Sequence, residues 1–319
     1  MRAARFAYGQ ARVRARRSRL PGPRDAAAPE GERVAREDRN GRFAALVADY
    51  SVVLRSFPTG HGLIRALLGL HEIENLKLGW RALSGALPAA RWVHLWRPLG
   101  RLETLPLEDW RDAVSLPDVL SRLGPPFGKV VAALYRSHRT RPADAELALD
   151  RWASRRLLDE ARSLPASEHV ARELALALVR ERDLGLVRRG LAFAMTPAVA
   201  AGMTVLLADE VGLEPLRTLA AWTPEDGPLA ACLPRGLLRR AGGRPADWDD
   251  LATMLRRTRR LACVRAFRQA PFHQGCAVAY LLLREEEERS WTALAEAGTP
   301  ATSPRALERV LAAGPMAAA

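Results

Sequence analysis

The chain has 319 residues, of which 48% are apolar and 27% charged, with a net charge of +13. That size and balance fit one large domain or two to three small ones, and exclude a disordered or collagen-like chain. Three cysteines, Cys232, Cys263 and Cys276, with no CxxC pair, exclude a disulfide framework and fit a reducing compartment.

Residues 1–20 hold seven arginines and no acid, along an apolar stripe at Ala3, Phe6, Val13 and Leu20. No apolar run follows them, so no secretory signal is expected. The segment is Arg-rich and acid-free like a transit peptide, but Ser18 is its one serine. Residues 21–42 are rich in Pro, Ala, Gly and charge and read as a linker. From Leu63 the positions Leu63, Ala66, Leu67, Leu70, Ile73, Leu76, Trp80 and Leu83 step by three and four, which predicts an amphipathic helix ending before Pro88. Shorter helical segments follow at 108–122 and, after Pro125 and Pro126, at 128–139.

A long helix is predicted from about Ala143 to Leu164, with Leu147, Leu149, Trp152, Leu157 and Leu158 for the core and Pro165 as its stop. Another spans Glu168 to Phe193. The longest uncharged run, Gly190 to Ala208, contains Pro197, Gly202 and much alanine. It makes a poor transmembrane span and reads as a buried helix end and a turn, so any membrane association is expected to be peripheral. Asp247–Ala270 and Gln274–Ala297 form a predicted helical pair broken near Pro271, and the tail Gly314–Ala319 reads as frayed. Residues 255–268 carry six arginines and no acid, so this cluster and the N-terminal one together equal the whole excess charge. Only two of the basic residues, Lys77 and Lys129, are lysine. No strand pattern occurs, and the chain reads as all-α.

A faint internal repeat places a charged helical turn in each third: Leu70–Leu76, Val179–Leu186 and Leu283–Trp291. Catalytic chemistry is poorly represented. Gly124-Pro125-Pro126-Phe127-Gly128-Lys129-Val130 is one residue short of a phosphate loop, offers two prolines where N–H donors are needed, and ends on Val130 without a hydroxyl. His61, His71, His94, His138, His169 and His273 are scattered, and His273 with Cys276 lacks a second pair for zinc. Cys276, in an apolar helix start, reads as an inert buried thiol. Glu285 to Glu288 point around a helix rather than into one pocket, and read as a solvated face. The tryptophans, Trp92 and Trp96 among them, read as packing residues or interface anchors. No cofactor or metal is expected.

Several segments resemble one family. Residues 5–20, from Arg5 through Ala15 onward, are similar to the first helix of the C-type subunits of V/A-type ATP synthases, the family that includes the d-type subunits of V-ATPases. Leu70–Ala82, with Glu72, Asn75 and Leu76, resembles its recurring helix of acid, Asn-Leu and a following Arg. Gly124–Gly128 resembles its Gly-Thr-Pro-Tyr-Gly turn. Leu149-Asp150-Arg151-Trp152 resembles its Leu-Asp-Arg-aromatic helix. Cys276–Trp291, with Tyr280, Glu285, Glu287 and Arg289, resembles the helix of its last repeat. The pieces occur in the family's order and cover roughly half the chain. The sequence departs from the pattern at Arg182 and Gly185, read as standing for the acid and Asn of the second repeat, and at Ser290 and Trp291 in the third.

The resemblance implies a non-catalytic, all-α funnel of three similar lobes about a pseudo-threefold axis, here 1–125, 126–225 and 226–319. It implies a socket between the central shaft and the membrane proteolipid ring, on the cytoplasmic face, coupling ATP synthesis or hydrolysis to ion transport. Arg12, Arg14, Arg16, Arg256, Arg257, Arg259 and Arg260 are candidate interface residues, since a localised basic surface suits an acidic partner. The rival reading is a basic helical nucleic-acid-binding protein using Arg12–Arg19 and Arg256–Arg268. Against it, only Phe267 among those arginines could stack on a base.

Overall fold

The computed structural model describes residues 2–17, 39–57, 61–85, 92–93, 95–103, 106–113, 115–125, 127–137, 142–268 and 273–297. Among them every regular element is helical and no strand occurs. In chain order the α-helices are α1 (Arg2–Arg17), α2 (Arg39–Ser56), α3 (His61–Leu83), α4 (Leu107–Arg111), α5 (Leu116–Arg122), α6 (Phe127–Ser137), α7 (Pro142–Ser163), α8 (His169–Ala192), α9 (Pro197–Gly202), α10 (Leu207–Val211), α11 (Leu213–Ala221), α12 (Arg235–Ala241), α13 (Trp248–Ala266) and α14 (Gly275–Ala297). Long helices thus come in three pairs, α2–α3, α7–α8 and α13–α14.

Local chemistry explains several boundaries. Asp247 caps α13, its side chain accepting from the Asp249 and Asp250 N–H groups at 2.8 Å. Ser115 and Thr196, each followed by a helical proline, cap α5 and α9. At the end of α8 the Met195 N–H bonds the Gly190 carbonyl and the Ala194 N–H bonds that of Leu191, the paired bonds of a Schellman stop. The glycine turn before α6 is equally local. The Phe127 and Gly128 N–H groups both donate to the Gly124 carbonyl, and the Leu123 carbonyl lies so close that a Cβ at Gly128 has no room.

Three expectations change. Positions 39–42 belong to α2 and not to a linker, because Phe43, Leu46, Tyr50 and Val53 recur at helical spacing and are buried. Segment 108–122 is two short helices, α4 and α5, separated at Asp112–Ser115. Helix α3 is not a half-exposed amphipathic helix: from Leu63 to Trp80 it is buried on nearly every side, with His71, Glu72 and Lys77 enclosed. Positions 21–38, His94, His138 and Gly314–Ala319 lie outside the described residues.

The chain divides into two compact units that interleave along the sequence. One consists of Met1–His61, Ala161–Glu181 and Trp222–Ala319, the other of Gly62–Glu160 and Arg182–Ala221. The division therefore runs inside α7 and α8. In the first unit α1, α2 and α14 pack together and α13 lies against α12 and α14. In the second, α9 and α10 pack on α11, and Trp92, Trp96 and Trp110 form an aromatic cluster. The indole of Trp110 fills the space above Gly79, where α3 has no room for a side chain.

Candidate functional site

In the second unit the family-like residues build a buried ion network. Asp150, on α7, accepts from Lys77 of α3 at 3.1 Å and from Arg182 and Arg189 of α8 at 3.3 and 2.5 Å. Burial alone raises a carboxyl pKa, but Lys77, Arg189 and Arg182 outweigh it and hold Asp150 below its usual range. One turn away, Glu146 takes a bidentate contact from Arg81 at 2.6 and 2.5 Å. Arg151, the next residue of the motif, is exposed and takes no part. Asn75 braces the chain that follows α3: its amide donates to the Arg97 carbonyl at 2.8 Å and accepts from the Arg97 N–H at 2.9 Å. Glu72 and Leu76 are buried beside it.

Helix α8 contains a similar device at a residue that no sequence motif marks. Asp183, fully buried on α8, accepts from the Val205, Leu206 and Leu207 N–H groups at 3.0, 2.8 and 2.9 Å. Asn75 and Asp183 each reach backbone 22 residues further along. Asp183 on α8 thus holds downstream backbone much as Asn75 does on α3. Burial raises the Asp183 pKa, opposed by its three backbone donors.

In the first unit residues of α14 join it to α1 and α2. Tyr50 of α2 donates its hydroxyl to Glu285 of α14, which also takes Arg289 at 3.4 Å. Asp49 accepts from Arg16 of α1 and, at 2.8 Å, from Arg284 of α14. Tyr280 is buried, and burial together with the nearby Asp49 raises its phenol pKa. Glu287 pairs with Arg284. The acidic run is not a solvated face: Glu285, Glu286 and Glu288 are buried because α1, α2 and α13 surround α14.

The candidate interface arginines separate into two groups. Arg259 is buried and donates to Glu181 of α8 at 2.6 Å, so it is not an interface residue. It occupies the inward stripe Leu251, Leu255, Arg259, Cys263 of α13, at four-residue steps. Burial disfavours its charge, but Glu181 outweighs this and raises its pKa. Arg16 is committed to Asp49, and Arg12 lies over the Tyr8 ring, 5.4 Å from its centre. Arg256 and Arg260 are half-buried, whereas Arg257 is exposed. The N-terminal and α13 clusters meet: Arg14 donates to the Phe267 carbonyl at 3.0 Å, and the Arg17 guanidinium stands 4.2 Å from the Phe267 ring centre. Burial, with Arg268 and Arg14 nearby, lowers the Arg17 pKa.

The candidate reactive groups are otherwise occupied. Burial pushes the Cys263 thiol up to about 12 and that of Cys276 up to about 11, so both are protonated at neutral pH. The Cys276 thiol donates to the His273 carbonyl at 3.8 Å, and His273 Nδ1 accepts from the Gly275 N–H at 2.9 Å, capping α14. No group of three metal-ligating side chains occurs among the described residues. Among them, too, no helix is long and apolar enough to cross a membrane. No protein-family model and no curated protein sequence matches the chain.

Proposed function

We propose that the protein is the non-catalytic socket of a V/A-type rotary ATP synthase or ATPase, seated between the central shaft and the membrane proteolipid ring. The observation that carries this reading is the repeated brace, Asn75 in α3 and Asp183 in α8, each holding backbone 22 residues downstream. It supports reading the repeat as a structural unit and not only a compositional echo. Further support comes from the order of ion pairs between the long helical pairs. The first helix of the second pair bonds the second helix of the first pair, through Lys77–Asp150 and Arg81–Glu146. The first helix of the third pair bonds the second of the middle pair, through Arg259–Glu181. The first helix of the chain's first pair bonds the second of the last, through Asp49–Arg284. That cyclic order is what three pseudo-equivalent lobes would generate, and the funnel with its peripheral seat on the cytoplasmic face is part of this proposal.

The buried ion networks suit a part that transmits torque, because paired charges fix one geometry where apolar contacts alone could slide. The test is co-expression with an affinity-tagged proteolipid ring and shaft subunits from the same source. Stoichiometric co-purification is expected. Purified ring and shaft that assemble without this chain, in its presence, would overturn the reading. Calorimetry with MgATP is expected to show no binding; micromolar affinity abolished by Lys129→Ala would restore the nucleotide loop that the prolines argue against.

A further inference from the structure

We propose that the exposed stripe Arg257, Leu261, Arg265 and Arg268, at the α13–α1 junction, is a docking face for a protein partner that presents an acidic helix. This goes beyond the socket reading and does not depend on it.

The stripe follows from helix geometry. Arg257, Leu261 and Arg265 are four residues apart on α13, so they stand above one another on one side, and Arg268 follows at its end. All four are exposed, Leu261 at 46%. The inward stripe of α13 uses Leu251, Leu255, Arg259 and Cys263 instead, so the outward one is not needed for the core. None of the guanidiniums of Arg257, Arg265 and Arg268 has a hydrogen-bond or ion-pair partner among the described residues. Acids on α13 are confined to its start, at Asp247, Asp249 and Asp250. Helix α1 adds Arg14 and Arg17 beside Phe267.

Charge complementarity requires an anionic occupant. Three observations favour a protein over nucleic acid or lipid. First, the stripe has an apolar centre, Leu261, with arginines one turn to either side. Protein interfaces use that core-and-rim order, in which a partially desolvated apolar contact sits inside a charged border. Second, the ring at the centre of the cluster, Phe267, is buried beneath Arg17 and cannot stack on a base, which leaves Tyr8, with Arg12 over one face, as a single exposed ring and no stacking platform. Third, one leucine supplies too little apolar surface to enter a bilayer, so lipid binding would rest on charge alone. Carboxylates eight apart on a facing helix, four residues to either side of an apolar side chain, match the spacing of Arg257 and Arg265 about Leu261.

The experiment uses the full chain and three probes: a helical peptide with glutamates four residues to either side of a central leucine, a single-stranded RNA homopolymer of equal charge, and phosphatidylserine vesicles. Two variants are compared with the parent, Arg257→Glu/Arg265→Glu/Arg268→Glu and Leu261→Ser. Arg151→Glu, an exposed arginine on α7, serves as the control. Binding of the peptide near physiological salt is expected, weakened about tenfold or more by the triple reversal and several-fold by Leu261→Ser, with the control unchanged. Thermal midpoints near the parent's confirm that the exposed changes leave the fold intact. No peptide binding, a triple variant within twofold of the parent, or an equal loss in the control overturns the proposal. So does tighter binding of RNA or vesicles than of peptide, insensitive to Leu261.

Discussion

Ala194 is the one described non-glycine residue with left-handed backbone, at φ 59°. It stands where the Schellman stop of α8 calls for glycine, since a Cβ crowds the neighbouring carbonyl in that conformation. Ala194→Gly is expected to raise stability by about 0.5–1 kcal/mol, the strain relieved exceeding the entropy that glycine adds to the unfolded chain. Urea denaturation measures it, and a loss of stability would show that the strain is absent. Glu286 carries a second residue-scale signature. It is buried on α14, neither carboxylate oxygen has a hydrogen bond, and burial raises its pKa, partly opposed by Arg259 and Arg260. The folded state therefore keeps this proton to higher pH than the unfolded chain does. Its contribution is full below the unfolded carboxyl pKa, about 4.3, and is lost as pH rises through the folded value. Glu286→Gln stays neutral throughout, so the variant's stability relative to the parent is expected to improve as pH rises from 4 to 8. A difference that does not change with pH would place a charged, satisfied carboxylate there.

At the scale of elements, the long helices were legible from spacing and the bracing between them was not. Helices α3, α7, α8, α13 and α14 lie within a few residues of their predicted bounds, because runs at three- and four-residue steps ended by proline or glycine leave few alternatives. Helix α2 was not anticipated although Phe43, Leu46, Tyr50 and Val53 repeat correctly, since its first turn lies inside the segment 21–42, whose Pro, Ala, Gly and charge content reads as a linker. The short helices α9 to α12 have too few turns for periodicity to register. Arg259 could have been placed inward from Leu251, Leu255 and Cys263 on either side of it. Asp183 could not, because its partners are 22 to 24 residues away and nothing in local pattern names them. The element it holds supplies a prediction: Asp183→Ala leaves three buried N–H groups without an acceptor and is expected to cost about 2–4 kcal/mol. Hydrogen exchange should show amides 205–207 losing protection first. Protection there equal to the parent's would mean that water or another acceptor replaces the carboxylate.

For the whole chain, the decisive contacts are those that bring its two ends into one unit. Tyr50–Glu285 and Asp49–Arg284 each span 235 residues of sequence. Closing so long a loop is not much dearer at equilibrium than closing a short one, since the entropy cost grows only by about 0.6 kcal/mol for each doubling of length. Kinetically it is different: local pairs such as α7–α8 gain their contacts early, whereas α1 and α2 must wait for α14. The join is therefore expected to form after the main folding barrier. Asp49 is 3% exposed and holds two guanidiniums, so Asp49→Ala strands Arg284 with only Glu287. A loss of about 3 kcal/mol is expected, with a coupling to Arg284→Ala of about 1–3 kcal/mol in a double-mutant cycle. Because the contact forms late, the loss should appear as faster unfolding with folding nearly unchanged. Stopped-flow refolding, followed through tryptophan fluorescence, separates the two. If Asp49→Ala slows folding in proportion to the stability it removes, the ends meet in the nucleus, and the first and last helices organise the fold rather than complete it.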